Sequence, residues 1–220
     1  MPIVRFYQVV LFIIAKPTAL LLDKWLGKEQ IIYFKENEIR IMLERQAKSG
    51  LSDVGAFESL GAINFLALDD IGIKDEGEVI NPASIVSLPC EGDKPVFPTF
   101  TKSPDDPFLQ SLNKSKEKWV VITDINSEPH LVLDADQFLR EVVLGKDIPN
   151  IYSFCHRPIV VKNPKTSFGE VMHQFKVHAE DAEDDVIDND IILYWNKEKR
   201  IITGADILGR LLRGIVKRSA

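Results

Sequence analysis

The sequence predicts a mixed α/β (α+β) fold: two similar units, each reading strand-helix-strand-strand-helix, packed as a pseudo-two-fold pair and preceded by N-terminal helices. Three observations predict it. From Asp190 to Gly214 the chain reads DIILYWNKEKRIITGADILGRLLRG. An apolar run (Ile191 to Trp195), a polar turn (Asn196 to Lys199) and a second apolar run (Ile201-Ile202) lead to a change of period. Ile207, Leu208, Leu211, Leu212 and Ile215 then fall on one face of a helix, so the stretch is strand, turn, strand, helix. The second observation is that this pattern occurs twice. Val121 to Asp124, the turn from Asn126 to Pro129, and His130 to Arg140 align with the later stretch at a constant offset of 70 residues. Asn126/Asn196, Glu128/Glu198, Ala135-Asp136/Ala205-Asp206 and Arg140/Arg210 recur, and two copies point to a packed pair rather than a solenoid. Third, Pro82, Pro89, Pro95, Pro98, Pro104 and Pro107 leave room between residues 72 and 107 for short strands but not for a long helix.

The elements follow in order. Residues 3–26 are rich in apolar side chains, but the unbroken run Val9 to Ala15 is shorter than the about 20 residues a spanning helix needs. Ala15-Lys16-Pro17-Thr18-Ala19 is a poor signal-peptidase site. The segment reads as a helix folded on its own core or lying at a membrane surface. A helix follows around residues 36–45, with Asn37 as N-cap and Gly50 as stop. Another, capped by Ser52, carries Phe57, Leu60, Ile63 and Asn64. Ser84 to Leu88 reads as a strand, Ser103 to Asn113 as a short helix, and Trp119 opens the first hairpin. Pro158 to Lys162 begins the second unit, and Ser167 to Lys176 is a helix with Phe168, Val171, Met172 and Phe175 on one face. The domains expected are an apolar segment over 1–27, a helical connector over 28–70, and units over 71–146 and 147–220.

Composition bounds the function. The 220 residues are 45% hydrophobic and 27% charged, ordinary for a globular chain. The net charge of −6 gives no global basic footprint for nucleic acid. Cys90 and Cys155 form neither a disulfide framework nor a metal pattern. His173 and His178 precede the acidic run Glu180 to Asp190, but the run lacks the glycine and terminal glutamate of an EF-hand, and a solvated loop is the better reading. Cys155 and His156 are adjacent, so they diverge on a strand or helix. No GxxxxGK[ST], HExxH or GxSxG occurs, and the chain is not expected to be an enzyme.

Arg200-Ile201-Ile202-Thr203-Gly204-Ala205-Asp206-Ile207, closing a twice-repeated strand-helix-strand-strand-helix order, resembles the ending of a CBS domain, and the chain resembles a tandem CBS pair, or Bateman module. Arg200 stands where that ending usually has glycine. Pro17 to Gly27, Tyr33 to Glu44 and Gly50 to Phe65 resemble the segment joining membrane domain and CBS pair in the CNNM/CorC magnesium transporter family. The resemblance implies a regulatory module of a magnesium or divalent cation transport system, membrane-associated and facing the cytoplasm, with most of the transmembrane domain missing. It implies an adenine nucleotide, ATP or AMP/ADP with Mg²⁺, as ligand. Thr203 and Asp206 would contact phosphate and ribose: a carboxylate accepts from ribose hydroxyls, and a helix start favours phosphate. Ile191, Leu193 and Ile201 are the candidates to line the adenine slot, and Lys162, Lys165 and Arg200 to meet phosphate. Thr203 and Asp206 also read as a plain capping box. Leu133 stands opposite Thr203 in the repeat, which favours one competent site. The apolar faces Phe138 to Val142 and Leu208 to Leu212 suggest a homodimer. The alternative function is a structural dimerisation module with no ligand.

Overall fold

The computed structural model describes residues 11–12, 15–18, 35–49, 55–175 and 191–216. The expectations for residues 3–26 fall mostly outside them, as do those for Gly50, Ser52, His178 and residues 180–190. The chain divides into two compact units, Met1–Ile63 and Asn64–Ala220. In the first, helix α1 (Glu36–Ser49) has acidic residues in its first turn and Lys48 in its last, as the helix dipole favours. It starts one residue before the predicted cap. Helix α2 (Ala56–Leu66) follows, its start closed by Glu58, whose carboxylate accepts the Gly55 N–H at 2.7 Å.

The second unit contains two four-stranded sheets. The first runs β2 (Ile85–Ser87), β5 (Trp119–Thr123), β6 (Pro129–Asp134) and β7 (Cys155–His156). The second runs β1 (Glu78–Val79), β10 (Lys199–Ile202), β9 (Ile192–Trp195) and β8 (Ile159–Val161). Strands β3 (Cys90–Glu91) and β4 (Lys94–Pro95) form a separate hairpin. Each sheet is built the same way. A parallel pair (β2 with β5, β8 with β9) is followed by an antiparallel hairpin (β5 with β6, β9 with β10). Helices α3 (Pro107–Asn113) and α5 (Phe168–Met172) sit within the parallel crossovers. Helices α4 (Ala135–Leu144) and α6 (Gly204–Leu211) leave the hairpins. The edge strands are exchanged: β1 precedes the first sheet in sequence but pairs with β10, and β7 precedes the second but pairs with β6.

Strand alternation sorts the core into layers. Val120, Ile122, Leu131 and Leu133 pack with Leu109, Leu112, Phe138 and Val142 on one outer side. Ile192, Tyr194 and Ile202 pack with Leu68, Ile73, Phe168 and Val171 on the other. Between the sheets lie Ile80, Val121, Val132, Ile191, Leu193, Trp195 and Ile201. Val121 and Ile191 thus share the inner layer, as the 70-residue offset requires.

The offset does not survive to the helices. Val132 faces the inner layer while Ile202 faces the outer one. The N-cap of α4 is Asp134 and that of α6 is Thr203, an offset of 69. One residue fewer separates turn from cap in the second copy. The counterpart of Thr203 is therefore Asp134; Leu133 is a fully buried strand residue. The expectation that Phe138 and Val142 lie on a surplus apolar face also fails, because both are fully buried in the first outer core.

Candidate functional site

The site candidates converge on the start of α6. Thr203 is extended (φ −116°, ψ 168°) and forms a capping box with Asp206. Oδ2 of Asp206 accepts the Thr203 N–H at 2.8 Å and the Thr203 hydroxyl at 2.8 Å. The box that the sequence offers as the plain alternative to a ligand site is thus present, and it occupies one carboxylate oxygen. The far end of α6 is closed by Asn64, whose Nδ2 donates to the carbonyls of Leu211 and Arg213, each at 2.9 Å.

Asp206 borders an open cavity of about 380 Å³, lined also by Asp75, Glu76, Gly77, Gly209, Arg210 and Arg213. Arg210 lies one turn after Asp206 on the same face of α6, and Arg213 joins them from the turn that follows the helix. The opposite wall is the segment leading into β1. Arg210 Nη1 meets Glu76 Oε1 at 3.3 Å, with both side chains largely shielded from solvent. Arg200 Nη1 donates to the Gly77 carbonyl at 2.8 Å and to the Glu76 carbonyl at 3.3 Å, while Nε meets Glu198 at 3.0 Å. Gly77 has φ +69°, and a Cβ there would lie 2.1 Å from the Ile201 carbonyl oxygen. Only glycine fits that approach.

The remaining sequence candidates are elsewhere. Ile191 and Leu193 are sealed in the inner layer at 1% and 0% exposure. Ile201 borders a second, smaller cavity of about 40 Å³ between the sheets, with Glu78, Ile80, Asn81, Glu117, Trp119 and Val121. Ile201 and Asp206 therefore line different cavities. Lys162 follows β8, whose end lies opposite the sheet end that holds Thr203, because β10 runs antiparallel to β9. Its ammonium pairs with Glu128. Lys165 is exposed in the next turn, its N–H held by Asn163 Oδ1. Arg200 is close to the first cavity, but its Nε is engaged by Glu198 and its Nη1 by two backbone carbonyls. Sequence reasoning missed Arg210 and Arg213; the i, i+4 spacing of Asp206 and Arg210 was the available signal.

Burial pushes the Cys155 thiol up to about 12, and His156 stands edge-on to Trp119 at 5.3 Å between ring centres. A thiol so protonated at neutral pH is a poor nucleophile. His173 is exposed. Among the described residues, no helix is long and apolar enough to cross a membrane.

No protein-family profile and no curated protein matches the sequence. Solved structures do. The CBS domain of a bacterial CNNM/CorC family Mg²⁺ transporter, in complex with an inhibitor, covers 83% of this chain and all of its own at 12% identity and a TM-score of 0.51. Another structure of a CBS domain of that transporter family matches over 84% of this chain and 99% of its own, at 14% identity and a TM-score of 0.48. A protein domain of unknown function from Neisseria meningitidis MC58 matches over 78% of this chain and 97% of its own, at 12% identity and a TM-score of 0.44. At this identity the first likeness speaks for the fold: the chain has the fold of the CBS domains found in bacterial CNNM/CorC Mg²⁺ transporters.

Proposed function

We propose that this chain is a regulatory module that senses an adenine nucleotide carried with Mg²⁺ and reports to a membrane-bound cation transport partner. The observation that carries the reading is the cavity of about 380 Å³ where the Asp206 carboxylate shares a wall with the guanidiniums of Arg210 and Arg213. Its size is within the range of small-ligand sites. Oδ1 of Asp206 is the oxygen left to accept from ribose hydroxyls, and the two guanidiniums are fork-shaped donors for phosphate. Asp75 and Glu76 on the opposite wall would repel a bare triphosphate, which favours the Mg²⁺-bound form. The role is regulatory rather than catalytic, and the partner is inferred from the transporter context of the similar CBS domains. Titration calorimetry of the full chain with Mg-ATP, Mg-ADP and AMP tests this. Saturable binding that Asp206→Ala removes supports it; no heat with any of the three at millimolar concentration refutes it.

A second reading, a structural dimerisation module without ligand, draws on two other observations. The cavity between the sheets is too small for a base. The outer side of α6 carries an open, largely apolar groove of about 360 Å³, bordered by Leu208, Leu212 and Val216, with Leu208 and Val216 more than half exposed. A homodimer formed there would be lost in Leu208→Glu. Sedimentation that gives a monomer for the wild type at micromolar concentration rules this reading out.

A further inference from the structure

We infer that Glu76 is a built-in competitor for the anion seat at Arg210, and that a phosphate-bearing ligand must displace it, releasing the β1 arm from the second sheet. The inference rests on the nucleotide-site reading above and adds its regulation. Three observations join at this point. Glu76 and Arg210 line the same cavity and meet at 3.3 Å inside it. A guanidinium bound by a carboxylate is engaged by the same geometry that a phosphate would use. Glu76 also sits at the root of β1, an edge strand of two residues that precedes the first sheet in sequence but pairs with the second.

The arm is held by its short ladder with β10, by the Ile80 N–H donating to the Lys199 carbonyl at 2.9 Å and by the Ile73 N–H donating to the Thr166 carbonyl at 3.1 Å. At its root Arg200 donates to the carbonyls of Glu76 and Gly77, the Glu76 N–H donates to the Ile73 carbonyl at 3.3 Å, and the Glu76 carboxylate grips Arg210. Gly77 lies flush against β10, where no side chain adds an anchor. An anion that takes Arg210 removes one hold and places negative charge beside the freed Glu76 and Asp75. Repulsion then favours withdrawal of the arm. The arm continues N-terminally through Ile73, buried in the second outer core, so its release would alter how residues 64–76 are held. Binding energy spent on displacing Glu76 lowers apparent affinity, so removing the competitor tightens binding.

The test uses the full chain, Glu76→Gln and Arg210→Gln, with Mg-ATP and inorganic triphosphate as probes. A partly shielded ion pair of this kind implies that Glu76→Gln binds both probes up to about five-fold more tightly than wild type. Arg210→Gln should bind both more weakly. Hydrogen exchange at the Ile80 amide should speed up when wild type is saturated with Mg-ATP. Because Glu76→Gln keeps the backbone and side-chain size, its melting temperature without ligand checks that the arm stays folded. Equal affinity of wild type and Glu76→Gln, or an Ile80 amide that becomes more protected, overturns the inference and leaves the nucleotide reading standing. Absence of binding by wild type and by Glu76→Gln alike overturns both.

Discussion

Helices α4 and α6 occupy the same place in the two halves of the pair and do different work. Helix α4 is locked: Ala135, Phe138 and Val142 are buried, and Phe138 stacks edge-on against Phe100 and Phe154 at 5.4 and 5.6 Å. Its cap Asp134 is buried too, accepting the Gln137 N–H at 2.9 Å and meeting Lys118 at 3.6 Å. Helix α6 has no fully buried residue; Ile207 and Leu211 rest on the second outer core, and its other faces border two open cavities. The difference begins with one residue. The cap of α4 serves itself with a carboxylate at N-cap. The cap of α6 uses a hydroxyl at N-cap and a carboxylate at N3, which engages Oδ2 and leaves Oδ1 without a hydrogen bond among the described residues. One helix is packed into the core, and the other leaves faces open to solvent.

The largest expected effect breaks the locked side. Phe138→Ala should cost about 3–5 kcal/mol, whereas Leu208→Ala, at an exposed position of α6, should stay within about 0.5 kcal/mol in chemical denaturation. Comparable losses in the two variants would mean that the outer face of α6 is covered in solution. The caps come next. Asp134→Ala and Thr203→Ala should each cost about 1 kcal/mol in the absence of ligand, and only the second should alter Mg-ATP binding.

Acid sharpens the comparison further. Backbone N–H donors hold two carboxylates of the first half below their ordinary 3.8: Thr101 foremost for Asp106, which caps α3, and Glu128 foremost for Asp124 in the β5–β6 turn. A lowered folded-state value means that these groups contribute stability above about pH 4, and that it is lost as pH falls through the folded values. Asp106→Asn should therefore flatten the acid limb of the stability profile measured by circular dichroism, with little change at neutral pH in its slope. An unchanged acid limb would show that the fold does not hold the Asp106 carboxyl below its ordinary value. The effect at Cys155 is confined to alkaline pH. With its thiol raised to about 12, stability should fall with rising pH from about 9 upward, and its alkylation at pH 8 should be slow until the fold is opened by denaturant.

The strands and helices were legible because the chain writes them in two clear periods. Ile191 to Trp195, the Asn196 turn and the Ile207–Leu211 spacing leave little choice, and the repeat doubles the signal. The exchange of β1 and β7 was not legible. Strands of two residues carry no alternation, and the pairing of β1 is set by where Arg200 and the Gly77 turn hold it. The one-residue slip between Asp134 and Thr203 was hidden because Ala-Asp recurs at the wrong register: Ala135 opens α4 and is buried, while Ala205 is the second residue of α6 and exposed. Thr203 and Asp206 were placed together by their spacing alone. Lys162 was misdirected by proximity in sequence, because strand direction carries it to the other end of the sheet. Arg210 and Arg213 belong to no motif, and only the fold brings them to the wall that faces Glu76.

The measurement that tests the central claim most directly is hydrogen exchange of the full chain with and without saturating Mg-ATP. The account predicts protection across residues 203–213 at the start and face of α6, and no change across 134–144 at the corresponding place in α4. Protection of the α4 start, or no change at either helix, would contradict it.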